Sequence, residues 1–218
     1  MNSGVLPTPM IMKYLKTIIY LIVLFASYSA LAGSYEDFFV AVKRNDGGSV
    51  TELLQRGFDP NTPDPSGNVA LVLALQAENL AVAEALMARP DLNVNALNAS
   101  GESALMMAAL RGNLAWCERL LARGASVNKP GWTPLHYAAT GAEPKVVKLL
   151  LDRGAVVDAE SPDKTTPLMM AARYGPEESV MLLLARGADP KRINARNMNA
   201  ADFAQGGGRE WLVQRLPR

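Results

Sequence analysis

Residues 131–140 read GWTPLHYAAT, and a close copy, TPLMMAAR, follows at residues 166–173. In both copies a threonine hydroxyl precedes a proline, which is the arrangement of a helix N-cap followed by the first helical residue. Small and aliphatic residues then recur at helical spacing along one face. Each copy therefore predicts the start of a short helix that packs closely against its neighbours.

The same stretch, which is the first landmark of a repeat, recurs in weaker form along most of the chain. A second landmark recurs at nearly the same spacing. The first landmark appears again as VALVLAL (69–75), SALMMAAL (103–110) and NAADFAQ (199–205). The second is a leucine-rich segment that ends in arginine, at positions 56, 89, 123, 153 and 186. Spacings of 33, 34, 30 and 33 predict a repeat of two helices. We expect Arg123, Arg153 and Arg186 to complement the negative end of their own helix, and Gly124, Gly154 and Gly187 to end it.

A period near 33 residues that carries the motif Thr-Pro-Leu-His-x-Ala-Ala resembles the ankyrin repeat family. The motif is complete at residues 133–139 and lacks only its histidine at 166–172, and the ending Gly-Ala-x-Val-Asn stands at 124–128. The resemblance covers about residues 34–216. It implies an all-α fold, an ankyrin-repeat solenoid of stacked helix-turn-helix units with β-turn fingers.

The resemblance also implies a division of the chain. Residues 33–66 are expected to form a degenerate N-terminal capping repeat, residues 67–198 about four ankyrin repeats, and residues 199–218 C-terminal capping helices. Degenerate ends are expected because a terminal repeat faces water on one side. One finger, at Val127–Gly131, is three residues short, which predicts an irregularity in the row of loops beside Trp132.

The first 32 residues have the composition of a targeting segment. Lys13 and Lys16 precede an apolar run at 18–26, and a small-x-small end follows at 30–32. This order predicts a secretory signal peptide that is cleaved after Ala32. A retained membrane anchor is the alternative, although the run is well short of the roughly 20 residues that cross a bilayer. Both Met1 and Met12 are candidate start residues.

The signal peptide predicts an exported protein. We expect a bacterial periplasm, with secretion into the medium as the alternative, and no stable membrane insertion after cleavage. Removing residues 1–32 leaves 20 basic against 21 acidic residues, while the full chain has a formal net charge of +1. A nucleic-acid surface normally needs a clustered basic excess, so no nucleic-acid partner is expected.

The composition also argues against a metal site and against a cofactor site. One histidine and one cysteine do not supply the three or four soft ligands of a typical metal site, and no phosphate-binding glycine loop is present. We therefore expect neither a metal nor a cofactor. The run Gly206–Gly208 instead predicts a flexible turn before the last helix.

His136 and Cys117, the only residues of their types, are the candidates for chemistry. A catalytic histidine needs a nucleophile or carboxylate at a recognisable spacing, and none is found. The ankyrin resemblance implies instead that His136 bonds the threonine hydroxyl of its own motif and the backbone of the adjoining loop. Cys117 aligns with inward-facing valines, which predicts burial rather than a reactive thiol, and its pairing between chains stays open. We expect no enzyme.

The remaining candidate for a functional site is a surface. The resemblance implies that the first helix of each repeat and the finger loops form a concave side, reached by the residues after each Ala-Ala pair and by the residue before each Thr-Pro start. Basic and aromatic side chains, which are frequent at interfaces, are conspicuous in this set. The predicted protein-binding residues are Lys43, Arg44, Gln76, Leu110, Arg111, Trp132, Thr140, Arg173 and Tyr174.

These observations predict a monomeric, non-catalytic module that binds a partner protein through its concave face and fingers. An acidic or mixed patch on another exported protein is the hypothetical target. Two alternatives stay open: a partner or protective subunit of an exported enzyme, and an effector that acts on a host protein. The sequence does not name the partner, because a fold does not by itself imply a function.

Overall fold

The computed structural model describes residues 33–216, so the predicted signal peptide and the two candidate start residues lie outside it. The described residues form twelve short helices, and the predicted all-α repeat solenoid is confirmed. In chain order they are α1 (33–43), α2 (Gly47–Gln55), α3 (Ala70–Ala77), α4 (Leu80–Met87), α5 (Ala104–Leu110), α6 (Leu114–Ala122), α7 (Pro134–Thr140), α8 (Pro144–Asp152), α9 (Pro167–Tyr174), α10 (Glu177–Ala185), α11 (Ala200–Gly206) and α12 (Glu210–Val213).

The helices alternate between two rows. Helices α3, α5, α7, α9 and α11 pack side by side as the inner row, and α2 with α4, then α6, α8 and α10, pack as the outer row. One apolar core runs through the described part of the chain between the rows. In residues 33–216 extended backbone pairs only in two isolated bridges, Pro63 with Val69 and Leu97 with Ser103. None of these helices has the length and apolar character needed to cross a membrane.

The inner helices lie very close together, which explains the small residues of the motif. Ala138 and Ala139 of α7 and Ala171 and Ala172 of α9 are all buried. A Cβ atom added to Gly175 would lie only 2.2 Å from the carbonyl oxygen of Ala139. Larger side chains at these positions would push the rows apart, so the spacing of the repeats depends on alanine and glycine here.

The predicted helix ends are confirmed. Thr133 and Thr166 have extended backbone, and the prolines that follow them are the first residues of α7 and α9. The Thr166 hydroxyl accepts the backbone N–H of Met169 at 3.4 Å. Beyond the outer helices, Gly124, Gly154 and Gly187 have φ of +88°, +85° and +88°, the left-handed conformation that favours glycine.

Two details of the helix ends differ from the prediction. Arg123 donates to the carbonyls of Met87 and Arg89 rather than to the end of its own helix, and Arg186 pairs with Asp152 at 2.7 Å. Both side chains are long enough to reach the neighbouring outer helix, so they link successive repeats. The predicted glycine turn is also shorter, because Gly206 still belongs to α11.

Four of the finger loops close in the same way. The backbone N–H of one residue donates to the carbonyl four residues later, over 2.8 to 3.0 Å. In the finger at residue 98, the Asn98 side-chain oxygen also accepts the N–H groups of Ser100 and Glu102 at 3.0 and 2.9 Å, which fixes the turn. The donor and acceptor residues are Asp64 and Asn68, Asn98 and Glu102, Ser161 and Thr165, and Asn194 and Met198.

In four of the five finger loops a single side chain ties the loop to the next one. The Asn128 amide donates to the Gly154 carbonyl at 2.8 Å and accepts the Val156 N–H at 3.0 Å. This pair of bonds repeats along the row and satisfies backbone groups that the turn leaves without partners. Asn61 and Asn95 make the same pair, and Asp158 makes the acceptor half.

We expect Asn128→Ala to lower the free energy of unfolding by about 0.5–1.5 kcal/mol, because two backbone groups lose their partner. Asn128→Asp keeps the acceptor, as Asp158 does, and should cost less. Urea denaturation of both variants measures this. Equal stability of wild type and Asn128→Ala would show that the side chain does not tie the repeats together.

Leu150 of α8 is fully buried. Leu150→Ala should therefore lower the free energy of unfolding by about 2–5 kcal/mol, since it removes buried apolar surface and leaves a cavity. The neighbouring Lys148→Ala, at an exposed position, is the control and should have a small effect. Denaturant unfolding compares the two, and similar losses would contradict the position of the core.

Candidate protein-binding surface

The short finger at residues 127–132 is closed by a side chain. In the four long fingers the carbonyl just before the helix N-cap accepts a backbone N–H. Trp132 stands at that position here, and its carbonyl accepts the Lys129 ammonium at 3.1 Å, while the Pro130 carbonyl accepts the same ammonium at 2.9 Å. The lysine replaces the missing backbone donor, so the loop ends three residues early without losing its closing bond.

Beside the short finger the inner row contains a groove of about 260 Å³. The ends of α5 and α7, the middle of α9 and the short finger surround it, so it spans three consecutive repeats. The predicted contact residues Leu110, Trp132 and Thr140 meet here. The residues that line the groove are Leu110, Trp132, His136, Tyr137, Thr140 and Met170.

Sequence reasoning missed Tyr137 and Met170. Both occupy the variable position of the Thr-Pro-Leu-His-x-Ala-Ala motif, the place where the two repeats differ freely. In the structure both are half-buried against the core and reach the groove. This variable position is the sequence signal that could have identified them. A residue of the inner helix that the motif does not fix is free to form part of a binding surface.

The polar side chains of the groove are largely engaged within the protein. The Thr140 hydroxyl donates to the His136 carbonyl at 2.9 Å, and the Tyr137 hydroxyl donates to the Glu102 carboxylate at 2.7 Å. Burial and the nearby carboxylate raise the pKa of Tyr137, so the phenol keeps its proton. The Trp132 ring meets the His136 ring edge-on, with centroids 5.1 Å apart. The groove therefore presents mainly apolar surface.

His136 is a structural residue. Its Nε2 lies 2.9 Å from the Thr165 carbonyl of the next finger, and a carbonyl only accepts, so the ring proton is on Nε2. Nδ1 then accepts from the Thr133 N–H at 3.2 Å and the Thr133 hydroxyl at 2.9 Å, as the resemblance implied. Burial lowers the pKa of His136 to about 4, so the imidazole is neutral.

The same slot accepts methionine. The Met106 sulfur accepts the Ser103 N–H at 3.3 Å, and the Met169 sulfur accepts the Thr166 N–H at 3.4 Å. His136 differs from them by its second nitrogen, which also holds the following finger. The histidine thus has both nitrogens bonded to the scaffold.

Stability should depend on pH through His136. The folded state lowers the pKa of the imidazole from 6.5 to about 4. The stability that the neutral imidazole contributes is therefore fully present above about pH 6.5. It falls by on the order of 3 kcal/mol in total as the pH drops towards 4. His136→Met has no titrating group at this position. Between about pH 6.5 and about pH 4, the unfolding free energy of the wild type should therefore fall relative to that of the variant.

Urea unfolding at several pH values measures that difference, and carboxylates common to both proteins cancel in it. The chain has one histidine, so its imidazole resonance in NMR reports the pKa directly. A midpoint near the ordinary value of 6.5, or a difference that stays constant from pH 7 to 4, would contradict the buried hydrogen-bonded geometry.

Cys117 is fully buried in α6, which confirms the sequence prediction. Burial raises the pKa of its thiol to about 12, so the reactive thiolate is not formed near neutral pH. Within residues 33–216 no group of three or more His, Cys, Asp or Glu side chains is arranged to hold a metal ion.

The remaining predicted contact residues fall into separate places. Arg111 donates from Nε and Nη2 to the Gln76 carbonyl at 2.9 and 2.5 Å, which fixes its guanidinium on the surface. The Arg173 guanidinium packs 5.3 Å from the ring centroid of the exposed Tyr174. Gln76, Arg111 and Arg173 lie at or next to the C-terminal ends of α3, α5 and α9, and α5 and α9 also border the groove.

Lys43 and Arg44 lie apart from the groove. Both are exposed, at the end of α1 and just after it. Arg44 instead lines a polar cleft of about 260 Å³ between α1 and α2. The structure therefore brings three of the nine predicted residues into one groove, and places these two in the N-terminal repeat.

The charges of the predicted surface are uncompensated by ion pairs. Arginines on the outer row and at the finger tips pair with carboxylates, for example Arg186 with Asp152 and Arg192 with Glu160. In the part of the chain that the structure describes, no such ion pair involves the four basic residues of the predicted set, which are Lys43, Arg44, Arg111 and Arg173.

Comparison with known proteins agrees with the repeat geometry. The family described as ankyrin repeats (3 copies) matches residues 38–130 and 117–194. The chain belongs to the ankyrin repeat family. Ankyrin repeats generally mediate protein–protein interaction, and the family is typically non-catalytic.

Several similar proteins carry the name ankyrin repeat, SAM and basic leucine zipper domain-containing protein 1. The one from Chlorocebus aethiops is 38% identical over 87 residues, which is 38% of this chain and 18% of that protein. The one from Homo sapiens is 37% identical over 87 residues, with the same shares. The chain thus spans less than a fifth of the length of these relatives.

Proposed function

We propose that this chain is a non-catalytic ankyrin repeat module that binds a partner protein through its inner face, centred on the groove beside Trp132. The groove carries the proposal: it is open, mainly apolar, and formed by three consecutive repeats where one finger is shortened. Trp132 and Tyr137 are the residue types that most often dominate binding energy at interfaces. An exposed apolar groove on a small protein commonly marks a binding site.

Charge supports an acidic or mixed surface on the partner. In the part of the chain that the structure describes, no ion pair involves the two arginines next to the groove, Arg111 and Arg173. Complementary charge on a partner would speed association and orient it more than it would strengthen binding. Lys43 and Arg44, away from the groove, would extend such a contact to the N-terminal repeat.

Export is part of the same proposal. The basic flank, short apolar run and small-residue end of the first 32 residues support a cleaved signal peptide and a periplasmic site of action. A C-terminally tagged full-length gene, followed by cell fractionation and mass determination of the tagged product, tests it. Recovery of an unprocessed chain from the cytosol would overturn this part of the proposal.

Leu110 offers a clean test of the binding face. Its side chain lines the groove and is 37% exposed, and Leu80 at the start of the outer helix α4 is also 37% exposed. Leu110→Glu should abolish capture of the partner by the tagged protein, because it places a charge in an apolar contact. Leu80→Glu is the matched control and should capture normally.

Quantitative mass spectrometry of proteins recovered with wild type and each variant measures the effect, with unfolding curves to show that both variants fold. Capture that Leu110→Glu leaves intact would rule out the groove. Trp132→Ala and Arg111→Ala are less suitable, since Trp132 packs on His136 and Arg111 holds the Gln76 carbonyl. The identity of the captured protein also separates an exported enzyme from a host target.

A further inference from the structure

We propose that the groove takes one large apolar side chain from a segment of another protein, and that acidic residues flank that anchor residue. This inference rests on the proposed function and adds the chemistry of the partner. It follows from the size of the groove, from the state of its polar groups and from the charges around it.

The size of the groove limits the occupant. A volume of about 260 Å³ is that of a sphere roughly 8 Å across, whereas a helix with its side chains is about 10–12 Å in diameter. The groove therefore holds one side chain of the size of leucine, methionine or phenylalanine and does not enclose a helix. The three residues missing from the short finger leave room for the segment that carries this side chain.

The polar groups of the groove favour an apolar occupant. The hydroxyls of Thr140 and Tyr137 already donate within the protein, and both nitrogens of His136 are bonded. A polar side chain that entered the groove would lose its water and find few partners, which is costly. Among the described residues, the Trp132 indole N–H is the lining donor that has no partner in the protein, so a carbonyl or carboxylate of the bound segment can accept it.

The surroundings of the groove favour acidic flanks. Arg111 follows Leu110 directly, Arg173 lies one turn after Met170 in α9, and the Lys129 ammonium sits on the Trp132 carbonyl. The opposing charges near the groove are Glu102, whose carboxylate oxygens accept from the Tyr137 hydroxyl and the Asn98 amide, and Asp163, which acts on His136 and accepts from the Ser161 hydroxyl. Three cations against two carboxylates that are already engaged within the protein make the rim attractive to acidic residues.

Four blocked seven-residue peptides test the proposal. Two have acidic flanks with a central leucine or phenylalanine, one has acidic flanks with a central serine, and one has lysine flanks with a central leucine. The full chain is labelled with fluorotryptophan, and ¹⁹F NMR follows Trp132, with Trp211 in α12 as an internal control and Trp132→Phe for assignment.

The acidic peptides with leucine or phenylalanine should shift the Trp132 signal saturably and leave Trp211 unchanged. The serine peptide should bind about ten- to a hundredfold more weakly, because it lacks the buried apolar side chain. The lysine-flanked peptide should bind more weakly than its acidic counterpart, and added salt should weaken only the acidic one. Leu110→Glu should remove the response, and Leu80→Glu should keep it.

Four results would overturn the proposal. Equal binding of serine and leucine peptides would contradict the anchor, and tighter binding of the lysine-flanked peptide would contradict the charge assignment. A dimer in analytical ultracentrifugation that Leu110→Glu dissociates would identify a second copy as the occupant. If no peptide binds while partner capture still depends on Leu110, this inference fails and the proposed function stands; if capture does not depend on Leu110 either, both fail.

Discussion

No helix pair among residues 33–216 buries its apolar face alone, and the contact between neighbouring inner helices is the constraint on which the rest of the structure depends. Ala139 and Gly175 bring the backbones of α7 and α9 so close that a single added carbon would collide. Each repeat is therefore completed by the next. At the last pair of described helices an arginine joins this contact: Arg209 donates to the carbonyls of Ala171, Ala172 and Gly175.

Polar side chains also form hydrogen bonds between successive loops along the stack. Asn128 bridges to the backbone of the next loop, and His136 reaches the Thr165 carbonyl of the following finger. Because Asn128 and His136 still bond to the next loop, the short finger is three residues shorter than the others while the helices on both sides stay stacked. Lys129 completes the loop by donating to the Trp132 carbonyl. The groove thus lies where the architecture accommodates a shorter loop.

The only histidine and the only cysteine both have structural roles in the fold. His136 is neutral with both nitrogens bonded, and Cys117 is buried with a raised thiol pKa. The variable residues lie on the inner face, where Leu110, Tyr137 and Met170 meet Trp132. Stacking fixes the alanines and glycines of each repeat and leaves these positions free. Binding specificity in this chain is therefore expected to reside in residues that the repeat motif does not define.

The sequence by itself determined the period, the helix starts at Thr133 and Thr166, the glycine ends and the structural role of His136, because each depends on bonds within a few residues or on a short repeating motif. It also indicated Leu110, Trp132 and Thr140 by their positions after or before the motif. Only the tertiary structure brought Tyr137 and Met170 beside them, placed Lys43 and Arg44 elsewhere, and turned Arg123 and Arg186 towards the preceding repeat. These outcomes depend on how far one repeat lies from the next, and that distance is set by packing between helices some thirty residues apart in the chain.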